Sequence, residues 1–169
     1  RRPGGVWHRL AVVAAGADSI MRIATEITVR RCEAQQDDDI PQCELLVAGA
    51  ATGCRLSGAI LEAAVEVAGK YLLFMTDDVP FEETLTLHLL DGQFRLLDSA
   101  SVGRAYATGV FSLVELREPD ELVFRFIGET PWAAKLLDGP ALRVPLYAEA
   151  PGVTRPFGFT RHFIVRHPA

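Results

Sequence analysis

The sequence predicts an all-β fold: an antiparallel β-sandwich, with a closed barrel as the alternative, and one short helix near residues 130–138. Three observations carry this. From Met21 onward apolar residues recur with a period of two, the signature of half-buried strands. Turn-forming dipeptides cut the chain into short pieces, as sandwiches require. The alternation of strands with long helical patterns that marks a parallel sheet is missing. The length of 169 residues and a 49% hydrophobic composition are enough for one domain with a substantial core.

The elements follow in order. Residues 1–20 read as an N-terminal extension or an added edge strand through Val6–Val13, and residues 21–169 as a single sandwich domain. Arg1-Arg2 followed by the apolar run Leu10–Ala17 superficially resembles an export signal, but the run is short. Met21 as a natural start is the plainer expectation. Met21, Ile23, Thr25, Ile27 and Val29 share one side of a strand. Asp37-Asp38-Asp39 before Ile40-Pro41 reads as an exposed loop, and Cys43–Val47 as a short apolar strand. Ser57–Ala68 fits both periods. Glu62, Glu66 and Lys70 are four apart, whereas Leu61, Ala63, Val65 and Val67 alternate. Its strand neighbours favour a strand, turning through Ala68-Gly69 into Lys70–Met75.

Leu85, Leu87 and Leu89 share a face, with Thr84, Thr86 and His88 opposite and outward. Asp91-Gly92 is then the strongest hairpin signal, since both residues tolerate positive φ. A two-residue turn there pairs Leu89 with Phe94, His88 with Arg95 and Leu87 with Leu96. A second hairpin joins Val110–Leu116 to Leu122–Ile127 across Glu118-Pro119-Asp120. Thr130-Pro131 before Trp132–Leu137, with Gly139 beyond, has the punctuation of a short helix. Leu142, Val144 and Leu146 alternate with Arg143, Pro145 and Tyr147, and Phe157, Phe159, Phe163 and Val165 with Thr160, His162, Ile164 and Arg166.

The net charge of −5 is unevenly spread. Residues 32–100 hold thirteen acids against Arg55, Lys70 and Arg95, while both ends are basic. An acidic balance gives no general grip on nucleic acid. No run of about 18 apolar residues exists to span a membrane as a helix. Cys32, Cys43 and Cys54 lie eleven residues apart, without the close pair that a zinc site uses, so free thiols in a cytoplasmic setting are expected and no metal or cofactor is assigned. Phosphate-binding loops, nucleophile elbows and H-E-x-x-H pairs are absent from the sequence. Ser57 before a glycine has no base that the sequence can identify.

Candidate binding residues fall in two groups. Asp77, Asp78, Glu82 and Glu83 put four carboxylates within seven residues, a loop suited to a basic protein partner although its spacing matches no calcium loop. Arg104 and Tyr106, in a Gly-bounded loop, and Arg161 and His162, in the basic terminal strand, are candidates for a polar ligand. Arg161 falls on the apolar face with Phe159 and Phe163, so it either edges the core or pairs with a buried carboxylate. The expected function is therefore non-enzymatic: binding a basic protein partner through an acidic surface. The alternative is a small-molecule binder or hydrolase with a pocket near Arg104, Tyr106 and Arg161. Oligomeric state is not legible.

Overall fold

A computed structural model describes residues 21–33, 40–79, 82–104, 107–142, 149–156, 158 and 160–169. The strands in chain order are β1 (Met21–Ile23), β2 (Ile27–Arg31), β3 (Gln42–Val47), β4 (Ala50–Ser57), β5 (Ile60–Val67), β6 (Lys70–Thr76) and β7 (Leu85–Leu90). They continue as β8 (Leu96–Val102), β9 (Ser112–Arg117), β10 (Glu121–Arg125), β11 (Trp132–Leu142), β12 (Val153–Thr154) and β13 (Thr160–Arg166). The protein is all-β, and its antiparallel sheets stack as in a sandwich and do not close into a barrel.

A central sheet is ordered β1-β5-β6-β7-β8-β12. A four-stranded sheet, β13-β11-β10-β9, covers one face, and a three-stranded sheet, β2-β3-β4, covers the other. Side chains alternate along a strand, so the central sheet feeds two separate cores. Phe74, Leu85, Leu87, Leu89 and Ala100 pack with Leu122, Phe124, Trp132, Leu136, Phe163 and Val165 of the four-stranded sheet. On the reverse face Ala64, Leu73, Met75 and Leu90 meet Ile27, Cys43, Leu45 and Leu56 of the three-stranded sheet.

This layering explains the first correction. β7 is buried at all six positions, Thr86 and His88 included. The face expected to meet solvent is roofed by the three-stranded sheet. Buried hydroxyls and imidazoles need partners, and they find them on β8. Thr86 Oγ1 lies 3.0 Å from Ser101 Oγ, and His88 Nδ1 lies 2.8 Å from Ser99 Oγ.

The central and three-stranded sheets are joined at two corners. One is Ala24–Glu26, between β1 and β2, where the Ala24 N–H donates to the Ala64 carbonyl. The other is Ser57–Ala59, between β4 and β5. There the Gly58 N–H donates to the Pro41 carbonyl and the Ala59 N–H to the Thr76 carbonyl. Chains that switch sheets need a sharp bend. Gly58 supplies it with φ +126°, and a Cβ built there would stand 2.7 Å from Met75 Cβ.

Within the Ser57–Ala68 stretch Ile60–Val67 is the strand β5, not a helix. Ala68-Gly69 turns it into β6, both residues having positive φ, and Ala48-Gly49 does the same between β3 and β4. Asp91-Gly92 does not make the expected two-residue turn. The loop is longer. Asp91 accepts the Phe94 N–H on its carbonyl, and the N–H groups of Gln93 and Arg95 on its carboxylate. Phe94 takes the left-handed conformation, φ +60°, with its ring 5.0 Å from that of Tyr71. The register moves accordingly: Leu89 pairs with Asp98, His88 with Ser99 and Leu87 with Ala100. The side-chain bonds of Asp91 fix a wider loop than the dipeptide implied.

The β9–β10 hairpin lies where expected. The helix near 130–138 is absent: those residues form β11, inserted between β10 and β13. Trp132, Ala134 and Leu136 enter the core at every second position. Pairing on both sides outweighs the local cap-like punctuation. The extension or edge strand at 1–20, the Asp37–Asp39 run, the alternation through Val144 and Leu146, and Phe157 and Phe159 lie outside the described residues.

Candidate functional site

The acidic group is assembled at one end of the central sheet. β5 starts at Ile60, opposite Thr76 at the end of β6. Pairing then skips from Leu61 to Ala63, leaving Glu62 as the extra residue of a bulge. The Thr76 hydroxyl donates to Glu62 Oε1 at 2.8 Å. Beyond Thr76 the chain carries Asp77, Asp78 and Val79 outward, and it returns through Glu82 and Glu83 to β7. Burial, then the negative charges of Glu83 and Asp78, hold the Glu62 carboxyl above its ordinary range. Burial does the same to Asp77.

Elsewhere most of the sheet carboxylates are matched with cations. Arg22 pairs with Glu26 and Glu66, Arg30 with Glu44, Arg95 with Asp91, Lys135 with Asp120, Arg117 with Glu115, and Arg166 with Glu121. Among the described residues no salt bridge reaches Glu62, Asp77, Asp78, Glu82 or Glu83. Two aliphatic side chains are exposed beside them, Ile60 at 41% and Val79 at 42%. Charged residues around exposed aliphatics are the ordinary anatomy of a protein-binding patch. Among the described residues no group of three or more His, Cys, Asp or Glu side chains is placed to hold a metal ion.

The second group meets a different fate. Arg161 lines a cleft of about 250 Å³ between the start of β8 and β13, together with Leu96, Leu97, Asp98, Arg155 and Thr160. Beneath it lies a buried ion cluster. Arg155, 4% exposed, donates from Nη1 to Asp98 at 2.8 Å and from Nη2 to Glu149 at 2.6 Å. Its Nη2 also donates to the Phe163 carbonyl at 2.6 Å, and its guanidinium stands 4.6 Å from the Phe163 ring centroid. Arg161 reaches the other Glu149 oxygen at 3.5 Å. Asp98 and Glu149 further accept the backbone N–H groups of His162 and Val165. Two guanidiniums thus face two carboxylates, and the cluster ties β8 of the central sheet to β13 of the four-stranded sheet. Of the two roles the sequence left open for Arg161, pairing with a buried carboxylate is the one seen.

His162 contributes its backbone to this seam. Arg104 is exposed beyond the far end of β8, outside the cleft, and Tyr106 lies outside the described residues. The structure therefore does not bring Arg104 and Arg161 together. Sequence reasoning missed Glu149, Asp98 and Arg155 because their meeting depends on the register between two sheets. It missed Glu62 because only a bulge carries that side chain to the acidic end.

Ser57 does have a histidine beside it: His88 Nε2 lies 3.4 Å from Ser57 Oγ. The same nitrogen is 2.9 Å from the Ser57 carbonyl oxygen, which only accepts, so Nε2 carries the proton. A protonated nitrogen cannot take a proton from the hydroxyl, and the arrangement is not that of an activated nucleophile. The three cysteines are free thiols, with Cys43 buried and its Sγ 3.6 Å from the Ala59 carbonyl.

No protein-family model, curated protein or solved structure matches this chain.

Proposed function

We propose that this protein is a binding module that docks a basic segment of a protein partner on the acidic end of its central sheet. The observation that carries this is the contrast in pairing. Glu44, Glu66, Asp98, Glu115 and Glu121 on the sheets are each matched with arginine, whereas Glu62, Asp77, Asp78, Glu82 and Glu83 converge on one end without a salt bridge among the described residues, beside exposed Ile60 and Val79. Unneutralised like charges repel one another, and a cationic ligand relieves that repulsion. The aliphatic pair supplies apolar area that charge alone does not.

A short arginine-rich peptide, titrated by calorimetry, tests the reading. Affinity should fall steeply as ionic strength rises toward about 0.15 M, where the Debye length is roughly 8 Å. Reversal of Asp77, Asp78, Glu82 and Glu83 to lysine should abolish binding, and Ile60→Ser should weaken it without changing the salt slope. Equal binding by wild type and the reversal variant would remove this end of the sheet from the interface.

A further inference from the structure

The acidic end adjoins the corner Ser57–Ala59, because Ile60 follows it directly and the Ala59 N–H bonds to the Thr76 carbonyl. Two buried side chains hold this corner from inside the molecule: Cys43, with its Sγ 3.6 Å from the Ala59 carbonyl, and His88. His88, 3% exposed, lies between the central and three-stranded sheets. Its Nε2–H donates to the Ser57 carbonyl at 2.9 Å, and its Nδ1 accepts the Ser99 hydroxyl at 2.8 Å. In the neutral ring both nitrogens are satisfied, one as donor and the other as acceptor. A second proton, on Nδ1, would force the Ser99 hydroxyl to turn round and would leave a full charge between two apolar layers.

The polar atoms facing that charge are the Ser57 carbonyl and the Ser99 hydroxyl, and no carboxylate pairs with it among the described residues. β6 presents Leu73 opposite His88 and β8 presents Ser99, with Asp98 on the other face of β8 bonded to Arg155. The titratable side chains in this core are Cys43, Cys54 and Tyr71, neutral across the range where histidine titrates. Arg55 is exposed on β4, and Glu62 and Asp77 belong to the acidic end.

We propose that His88 is a pH-sensitive latch on the Ser57–Ala59 corner, closed when the ring is neutral and released when it is protonated, so that the acidic end presents Ile60 in its docking position only above the histidine range. The consequence for docking rests on the acidic end being the partner surface. The latch itself does not. Burial also holds His88 below its ordinary range. The closed corner therefore binds fewer protons than the open one, and closure is lost as pH falls below the open-state value of about 6.5.

Amide hydrogen exchange on the intact chain, corrected for intrinsic rates, tests this. With an open-state value of about 6.5 and a closed state that stays neutral, the opening equilibrium should rise about tenfold between about pH 7.5 and about pH 5.5. Protection of Gly58 and Ala59 should fall by that factor while the β13 amides of Phe163 and Val165 keep theirs. His88→Gln, which retains one donor and one acceptor, should abolish the pH dependence at the corner. Should that variant fail to fold, the His88 ring proton resonances of wild type decide instead: they should titrate below the ordinary histidine value of about 6.5. Corner protection indifferent to pH, or lost in parallel with β13, overturns the latch. An arginine-rich peptide that binds wild type less well at the lower pH, and His88→Gln with less change, supports its coupling to docking. If no peptide binds at any pH while the exchange pattern holds, the docking reading fails and the latch stands.

Discussion

Between the central and four-stranded sheets, nineteen described residues form one buried core, five of them aromatic. On the reverse face nine do, none aromatic, with Tyr71 and Phe94 packed at the margin. The two interiors also treat polar groups differently. At the margin of the larger one, Asp98, Glu149, Arg155 and Arg161 form a largely buried, charge-balanced set. The smaller one buries a neutral imidazole, with hydroxyl and carbonyl partners and no opposing charge. Burying an ion is tolerable where every charge has a hydrogen-bonded opposite. A neutral titratable group is stable only while it stays neutral.

The largest effect that would break this comparison is at Arg155. Replacing it with methionine fills comparable space but strands Asp98 and Glu149 with much of their positive charge gone, and unpaired buried charge costs about 3–5 kcal/mol. Denaturant unfolding should show that loss. It should be partly restored when Glu149→Gln and Asp98→Asn are added, because the stranded charges then disappear. A loss below about 1 kcal/mol in the single variant would mean that the cluster is solvated, not buried.

A smaller effect separates the corner from an ordinary turn. Gly58 and Gly49 both have positive φ, which alone costs a non-glycine residue about 1 kcal/mol. A Cβ at Gly49 meets nothing within 4 Å, whereas at Gly58 it meets Met75 Cβ at 2.7 Å. Gly58→Ala should therefore cost about 1–3 kcal/mol, more than Gly49→Ala. Equal losses would show that the corner yields freely and that the three-stranded sheet is only loosely attached.

The same contrast marks what was legible in the sequence. Alternation at Ala63, Val65 and Val67 and at Leu85, Leu87 and Leu89 located strands and core residues, because side-chain direction is a local property of the backbone, whereas the bulge at Glu62 turns Leu61 to the opposite face. The second buried face was not legible. Thr86 and His88 read as solvent-facing because polar residues beside leucines ordinarily are, and their partners Ser101 and Ser99 come from another strand. The helix expected near Trp132 failed for a related reason: Thr130, Pro131 and Gly139 report local preference, while β10 and β13 supply the pairing that decided the outcome. Of the candidate site, the loop acids at 77–83 were visible as a run. Glu62 was hidden by a bulge, and the role of Arg161 by the distance in sequence to Glu149.

The smallest predicted effect bears on the acidic end itself and has the opposite sign. Burial first, then Glu83 and Asp78, raise the Glu62 carboxyl, against the opposing hydrogen bond from Thr76. A carboxyl whose folded-state value is raised favours folding most when protonated. That contribution is complete below the unfolded value of about 4.3 and is lost as pH rises through the higher folded value. Above that folded value, ionised Glu62 therefore works against the fold. Glu62→Gln keeps an oxygen for the Thr76 hydroxyl and removes the charge. It should raise the denaturation midpoint near neutral pH by less than either loss above, and the gain should shrink as the pH approaches about 4.3. The same substitution should weaken arginine-peptide binding, since it removes one of the five carboxylates. A variant more stable and equally good at binding would place Glu62 outside the docking surface. One less stable at neutral pH would mean that the carboxylate is compensated after all, and that this end of the sheet follows the logic of the Arg155 cluster.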